Sequence, residues 1–438
     1  MEHIESWGRF PRVESRSRPL FWTHEVDLNP HQGLLLAHGL GRSYGDSCLN
    51  PEGVLLRTRQ LARLLNFDPE RGRIRCEAGV SLAELLAVIV PHGWFPPVTP
   101  GTKYVTVGGM VANDIHGKNH HRCGSFGRFV ERLELLRSDG SRLECSPREH
   151  GELFGATIGG LGLTGLITWV EFRLQKINSV WLDCETFKFT DLDTYFQLSR
   201  DSRATHQYTV AWLDGIGYKG SAVRGLFMRG NHSMGGPGTG GPPPDREPFL
   251  RIPVEAPDWL LNPLAVKLFN TAYYHRRLRR RTCKRVHYDP FFYPLDGVGF
   301  WNRLYGRRGF LQYQCIVRDE KGVLEILELG RKARVWFFLG VLKWFGALVS
   351  PGLLSFPRQG YTLAMDFPAN PRVLAHLNQL DRLVADHGGA VYPAKDARMS
   401  GAAFERFFPH WRTFAAFIDP AFSSGFWTRV NEKRTPEN

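Results

Sequence analysis

Residues 97–121 read PVTPGTKYVTVGGMVANDIHGKNHH. Small residues at Gly101, Gly108, Gly109 and Ala112 suit a loop lying flat against a planar ligand. His116, Lys118, His120 and His121 concentrate polar chemistry beside it. Three histidines invite a metal reading. But His120 and His121 are adjacent, adjacent side chains rarely converge on one ion, and Asp114 is the only acid in the segment. Contact with a cofactor or substrate is therefore favoured, ahead of structural hydrogen bonding.

Two glycine motifs flank this stretch. Upstream, Gly39-Leu40-Gly41-Arg42-Ser43-Tyr44-Gly45-Asp46 follows the apolar run LLLAH. Glycines there let backbone N–H groups turn inward as an anion nest, and Arg42 and Ser43 add donors, so a pyrophosphate is the natural guest. A plain tight turn is the competing reading. Downstream, Gly160-Leu161-Gly162-Leu163-Thr164-Gly165 satisfies G-x-G-x-x-G. A dinucleotide fingerprint of that form needs a strand before it and a helix after it. Here ELFGATIGG reads as helix before and LITWVEFRL as strand after, which argues against a nicotinamide-binding Rossmann domain.

Further out, GLLLAHG, GVLLRTR and RIRCEAG read as strands. LAELLAVIVPHG reads as a helix with Ser81 as N-cap and Gly93 near its end. Strands and helices mix without a strict β-α-β rhythm, so the fold class is α+β. ETFKFTDLDTYFQLSRD reads as strand then helix, and QYTVAWLDGIG as a strand. Gly230 to Asp245, GNHSMGGPGTGGPPPD, reads as a flexible surface loop inside the second region. His275 to Arg285 holds seven arginines and lysines in eleven residues. It reads either as a solvated helix face or as a contact for phosphate or an anionic membrane.

The whole chain has 438 residues, long enough for two or three domains. Its net charge of +13, from 56 Lys+Arg against 43 Asp+Glu, favours anionic partners. No nucleic-acid module is visible, so nucleic acid is not expected. Seven scattered cysteines without a C-x-x-C suit neither a disulfide framework nor zinc, and suggest a reducing compartment. MEHIESWGRF has no apolar run and reads as no signal peptide, which implies the cytoplasm. Val335 to Phe356 is almost purely apolar, but Gly340, Gly346, Pro351, Gly352 and Lys343 interrupt it. It reads as a buried strand with an adjoining apolar loop rather than a membrane span.

Taken in order, the three motifs resemble the flavin domain of the vanillyl-alcohol-oxidase superfamily, the PCMH-type FAD proteins. GLGRSYGD, DIHGKNHH-x-x-GSFG and LFGATIGGLGLTG resemble most the decaprenylphosphoryl-ribose oxidase branch, the FAD subunit of a sugar 2-epimerase. The likeness continues through AWLD (Ala211–Asp214), Tyr293–Gly306, GFLQYQ (Gly309–Gln314), Leu354–Pro368 and YPAKDAR (Tyr392–Arg398). It implies a two-part FAD-binding domain, about 1–180 and 391–438. Inserted between them, at 181–390, is a substrate domain with an antiparallel sheet.

By that resemblance Gly41, Arg42, Ser43, Tyr44, Gly45, Thr102, Gly109, Asn113, Gly117, Ile167 and Tyr392 meet FAD. Trp212, Gln312, Gln314, Lys343, Phe345, Thr362 and Ala364 line the sugar and lipid pocket. Gln312 and Gln314, two apart on a strand, would point to one face. Lys395, His116 and Lys118 are the catalytic candidates. Lys395 or His116 would be the base; alternatively Lys395 stabilises the anionic reduced flavin, the role slightly preferred. The implied reaction oxidises a secondary hydroxyl of a polyprenyl-phosphoryl pentose to a 2-keto sugar, with hydride passing to flavin N5. A separate short-chain reductase would complete the epimerisation, a step in cell-wall arabinan biosynthesis. Peripheral contact with the inner face of the membrane is also implied. The alternative is a soluble sugar-alcohol or aldonolactone oxidase on the same fold.

Three departures from the branch or superfamily stand out. Arg42 occupies the position where many superfamily members carry a histidine bonded to FAD, so non-covalent FAD is expected. Ala364 stands where mycobacterial-type members have a pocket cysteine, with Thr362 replacing a nearby asparagine. Phe292 replaces a tyrosine.

Overall fold

The computed structural model describes residues 4–28, 33–51, 53–216, 221–234, 248, 250–257 and 260–432. Runs of apolar and β-branched residues form strands where the pattern predicts them. Leu35–His38 and Val54–Arg57 join Arg16–Pro19 in a three-stranded parallel sheet. Leu166–Arg173 is the central strand of a five-stranded antiparallel sheet, between Arg73–Glu77 and Val130–Leu136, with Leu64–Asp68 and Arg142–Cys145 at the edges. Leu82–Ile89 is helical. Ser81 and Glu84 close a reciprocal capping box at its start, and Gly93 turns left-handed (φ 79°) just past its end. The segment Gly160–Gly165 does follow a helix, Gly151–Thr157, and precede the strand Leu166–Arg173. That order is the reverse of a dinucleotide fingerprint.

The largest sheet has eight antiparallel strands. Their spatial order is Arg281–His287, Trp181–Phe189, Gly225–His232, Tyr208–Leu213, Gly340–Phe345, Gly360–Pro368, Phe310–Val317 and Ala390–Val391. Side chains alternate between its faces. Leu311, Tyr313, Cys315, Leu342, Leu363, Met365 and Phe367 all face one way, into a core shared with the helices Leu192–Ser202, Glu320–Ala333 and Pro371–Asp386. Each large apolar side chain so buried contributes roughly 1.5–3 kcal/mol. The opposite face carries polar residues, and it is the floor of the site.

Two expectations change. The basic run His275–Arg285 does not lie along a helix face. The helix Pro263–His275 ends where the run begins, and Arg281–His287 is the edge strand of the large sheet. There Arg281 and Arg285 pair across strands with Glu185 and Asp183, a pairing that strand geometry allows and that holds these two charges in place. Of the expected loop 230–245, Gly230–His232 belong to the strand Gly225–His232, and 235–245 lie outside the described residues. The apolar stretch 335–356 contains the strand Gly340–Phe345 and an adjoining loop, as its interruptions predict. Among the described residues no helix is long and apolar enough to cross a membrane.

The C-terminal segment returns to the first motif. Tyr44 N donates to the Ala394 carbonyl at 2.9 Å. A Cβ on Gly45 would lie 1.9 Å from the Asp396 carbonyl oxygen, so only glycine permits this crossing. Arg429, on the helix Gly425–Asn431, donates to both Asp46 and Asp396.

Candidate active site

Strand register assembles the floor. Gln312 lies opposite Asp366, and Gln314 opposite Ala364. Ala364 lies opposite Val341, and Thr362 opposite Lys343. Trp212 lies opposite Val341 on the next strand. Directly opposed residues share a face, as do residues two apart. Trp212, Gln312, Gln314, Lys343, Phe345, Thr362 and Ala364 therefore stand on one side of the sheet. Asp366, which the sequence reading passed over, stands with them.

Over this floor lie the segment 113–121 and the turn Pro393–Lys395. His116 is buried, and its Nε2 accepts from the Gln314 side-chain amide at 2.8 Å. Gln314 also donates to Thr362 Oγ1 at 3.0 Å, which in turn donates to the Cys315 carbonyl at 2.9 Å. His116 thus holds its proton on Nδ1, an atom that is buried without a partner. Its pKa lies well below the usual value, through burial first and then the charges of Lys343 and Lys395. The ring is wedged among Phe345, Phe356 and Tyr392, with centroids 4.9, 5.7 and 5.1 Å away.

A second chain of groups runs through Lys395. Its Nζ donates to Gln312 Oε1 and lies 5.1 Å from the centre of the Tyr44 ring. The Gln312 amide donates to Asp366 Oδ1 at 2.5 Å, and Tyr305 OH donates to Asp366 Oδ2 at 3.5 Å. Burial pulls Lys395 down to about 8, against the opposing pull of Asp366. Burial also raises the Asp366 carboxyl. Lys343 is pulled down to about 7, by burial and then by the charges of Lys395 and Lys118. Among the described residues Lys343 has no acid partner, and its Nζ lies 5.7 Å from the centre of the Phe345 ring.

Lys118 is turned elsewhere. Its Nζ donates to the carbonyls of Phe291 (2.7 Å) and Phe292 (3.0 Å), at the end of the short helix Tyr288–Phe292. Burial pulls it down to about 7. Phe292, the aromatic that departs from the branch pattern, thus anchors Lys118 through its backbone. His120 stacks on Phe345 at 4.1 Å with both ring nitrogens unpartnered. Burial takes it down to about 3, and it stays neutral. His121 Nε2 donates to the His206 carbonyl at 2.9 Å. The histidines diverge, so they do not form one constellation.

The remaining candidates lie on the segments around the floor. The Arg42 guanidinium lies 4.0 Å from the centre of the Trp7 ring, and its Nε donates to the Tyr104 carbonyl at 3.1 Å. Thr102 Oγ1 accepts from Tyr104 N. Asn113 donates to the Gly109 carbonyl, and Tyr392 OH donates to the Asn113 carbonyl at 2.8 Å. Ile167 is buried on the strand Leu166–Arg173, opposite Leu135. The Ser43 carbonyl accepts from Trp7 N. With Tyr44 N committed to Ala394, the first motif offers an anion fewer backbone donors than its glycines suggest.

Residues 28–146 match the family of FAD binding domains. Over 443 residues the chain is 34% identical to decaprenylphosphoryl-beta-D-ribose oxidase of Mycolicibacterium smegmatis, covering 96% of this chain and 95% of that protein. The chain belongs to this family of FAD-dependent oxidoreductases. An uncharacterized protein of Streptomyces coelicolor is 33% identical over 78% of the chain and 96% of its own length. Alditol oxidase of a Streptomyces species is 32% identical, over only 30% of the chain and 31% of its own length.

The residues of this oxidoreductase fit the cofactor. A Cβ on Gly101 would meet nothing within 4 Å, and one on Gly109 only Thr106 Oγ1, so the backbone at both glycines is open to close approach by a flat ring system. Asn113 Oδ1 and His116 Nδ1 are buried without partners. Such orphans cost free energy unless a bound group satisfies them. Arg42 cannot form a histidyl-type bond to a flavin. Acid precipitation of the oxidoreductase should release all its flavin to the supernatant; a yellow pellet would show a covalent link at another residue.

Ala364 shares the site face, whereas Cys315 is fully buried on the other face, with its thiol pushed up by burial. Ala364→Cys should therefore create a thiol that maleimide labels with loss of turnover. The unaltered chain should keep Cys315 unlabelled. Peptide mass mapping reads both; a label on Cys315 would overturn the face assignment.

Proposed function

We propose that this oxidoreductase removes hydride and proton from a secondary hydroxyl of a polyprenyl-phosphoryl pentose, leaving a 2-keto sugar. The observation that carries the reading is the floor of Gln312, Gln314, Thr362, Lys343 and Asp366 facing Lys395. It occurs in a chain that is similar along nearly its whole length to an oxidase of a decaprenylphosphoryl ribose. In this reading residues 1–180 and 391–438 hold FAD, and 181–390 hold the sugar and its lipid. Arg42, Thr102, Gly109, Asn113, Gly117 and Tyr392 meet the cofactor.

Bound FAD supplies the hydride acceptor. Gln312 and Gln314 fix the sugar hydroxyls, being locked in turn by Asp366 and by Thr362 with His116. Lys395 Nζ takes the hydroxyl proton. Near neutrality a fraction of this amine is uncharged, so it presents a lone pair while still donating to Gln312 Oε1. His116 is a poor base here: its Nε2 lone pair is occupied by Gln314, and a charged ring would face Lys343 and Lys395. Lys343, unpaired on the site face, receives the phosphate. Lys118 positions the segment 291–292 rather than touching substrate. A separate reductase acting on the 2-keto product would complete an epimerisation.

The purified protein should be yellow, and lipid-phosphoryl ribose should bleach it under anaerobic conditions. Bleaching by free polyols but not by the lipid-linked sugar would favour a soluble polyol oxidase. The restricted likeness to alditol oxidase supports that second reading less.

A further inference from the structure

We propose that the helix Pro263–His275 and the basic turn after it form a docking surface for an anionic lipid bilayer. The inference rests on the lipid-linked substrate proposed above, and names where the enzyme meets the membrane that holds it.

The helix is amphipathic, and its outer face is unusual. Val266, Asn270 and Tyr274 are buried against the protein. Leu264, Leu268 and Phe269 point outward, 66%, 64% and 54% exposed, and Leu278 just beyond is 94% exposed. Leu264 and Leu268 are one helical turn apart and form a single ridge. Isolated exposed apolar residues are ordinary, but a ridge of them beside concentrated charge is not.

The charge is one-sided. Residues 260–287 contain eight lysines and arginines and no aspartate or glutamate. Arg281 and Arg285 are held by Glu185 and Asp183. Arg276 lies against the Tyr273 ring, 3.8 Å from its centre. Lys267, Arg276, Arg279, Arg280 and Lys284 are exposed, with no acid partner among the described residues. Large apolar side chains ringed by unpaired cations complement an anionic headgroup layer over acyl chains. A protein partner would need an acidic rim around a hydrophobic pocket; a bilayer offers both everywhere.

The helix also lies where such docking would be useful. Its inner face packs on the large sheet through Tyr273 against Trp212, 4.9 Å between rings, while Phe269, at the border of the outer ridge, touches Phe338 just before the strand Gly340–Phe345, 5.6 Å between rings. Trp212 belongs to the site face. One helix thus has bilayer chemistry outside and covers the far end of the substrate floor inside. A prenyl chain could pass along it without crossing water.

The test uses the full flavin-loaded chain and sedimentation with phosphatidylcholine vesicles, with and without phosphatidylglycerol. The chain should co-sediment with the anionic vesicles, and high salt should weaken this. Leu264→Ser/Leu268→Ser and Arg279→Glu/Arg280→Glu should each weaken co-sedimentation by at least about tenfold, with flavin content unchanged. Turnover of a short-chain, water-soluble phosphoryl ribose should be unaffected in both, while KM for the vesicle-borne substrate rises. Variants that bind vesicles like the unaltered chain would overturn the proposal. So would an unaltered chain that stays in the supernatant as a dimer that these variants dissociate, which would assign the ridge to a second copy. Vesicle binding without oxidation of any lipid-linked sugar would leave the surface standing and remove the proposed substrate.

Discussion

Lys395→Arg should oxidise lipid-phosphoryl ribose roughly 10²–10⁴ times more slowly than the unaltered chain, as should Lys395→Met. The argument is one of protonation. A buried lysine held at about 8 keeps some uncharged amine at neutral pH, whereas a guanidinium remains protonated throughout. If Lys395 only stabilised negative charge, arginine would retain much of the rate and methionine would not. The pH profile gives an independent reading. A base becomes active as it loses its proton, so kcat/KM should climb as pH rises through about 8 and then level. A group needed in its charged form would give the opposite limb. Asp366→Asn should move the climb to lower pH, because the carboxylate favours the charged lysine. A rate that survives in Lys395→Arg, or a limb falling through 8, would hand the role of base to another group.

What the sequence disclosed, and what it hid, follows sequence separation. Gln312 and Gln314 could be read as one face because a strand repeats every two residues. The same period carried on from Ala364 reaches Asp366, two residues along the strand, which the family resemblance by itself does not single out. Lys118 looked catalytic beside His116, yet its partners are carbonyls more than 170 residues away, which no local pattern discloses. The glycine at 45 reads locally as part of a phosphate nest; that it must also clear the Asp396 carbonyl, across the whole chain, no local pattern discloses. The basic run was open to a helical reading because a short charged segment carries little periodic signal. Strand pairing with Asp183 and Glu185 decided it. Where neighbours in sequence set the geometry, the residues predicted it; where a distant backbone atom did, they could not.

Arg429→Met should destabilise the fold by about 3–5 kcal/mol, the usual cost of leaving buried carboxylates without their cation. Its guanidinium joins Asp46, the last residue of the first glycine motif, to Asp396, next to Lys395, at 2.8 and 2.9 Å. Both acids are buried. The two carboxylates would otherwise repel each other where Gly45 already brings the backbones into contact. Arg429 also donates to the Met399 carbonyl, which fixes its helix against the same crossing. The variant should release flavin at a lower temperature than the unaltered chain, followed by the rise of flavin fluorescence on heating. Arg429→Lys should recover only part of the loss, because a single ammonium cannot satisfy two carboxylates in a planar fork. Arg429→Met with Asp46→Asn should recover some as well, by removing one stranded charge. An unchanged midpoint in Arg429→Met would mean that the clasp is a bystander. The turn bearing Lys395 would then be held by backbone contacts alone, and the site's geometry would owe nothing to the ion pairs beneath it.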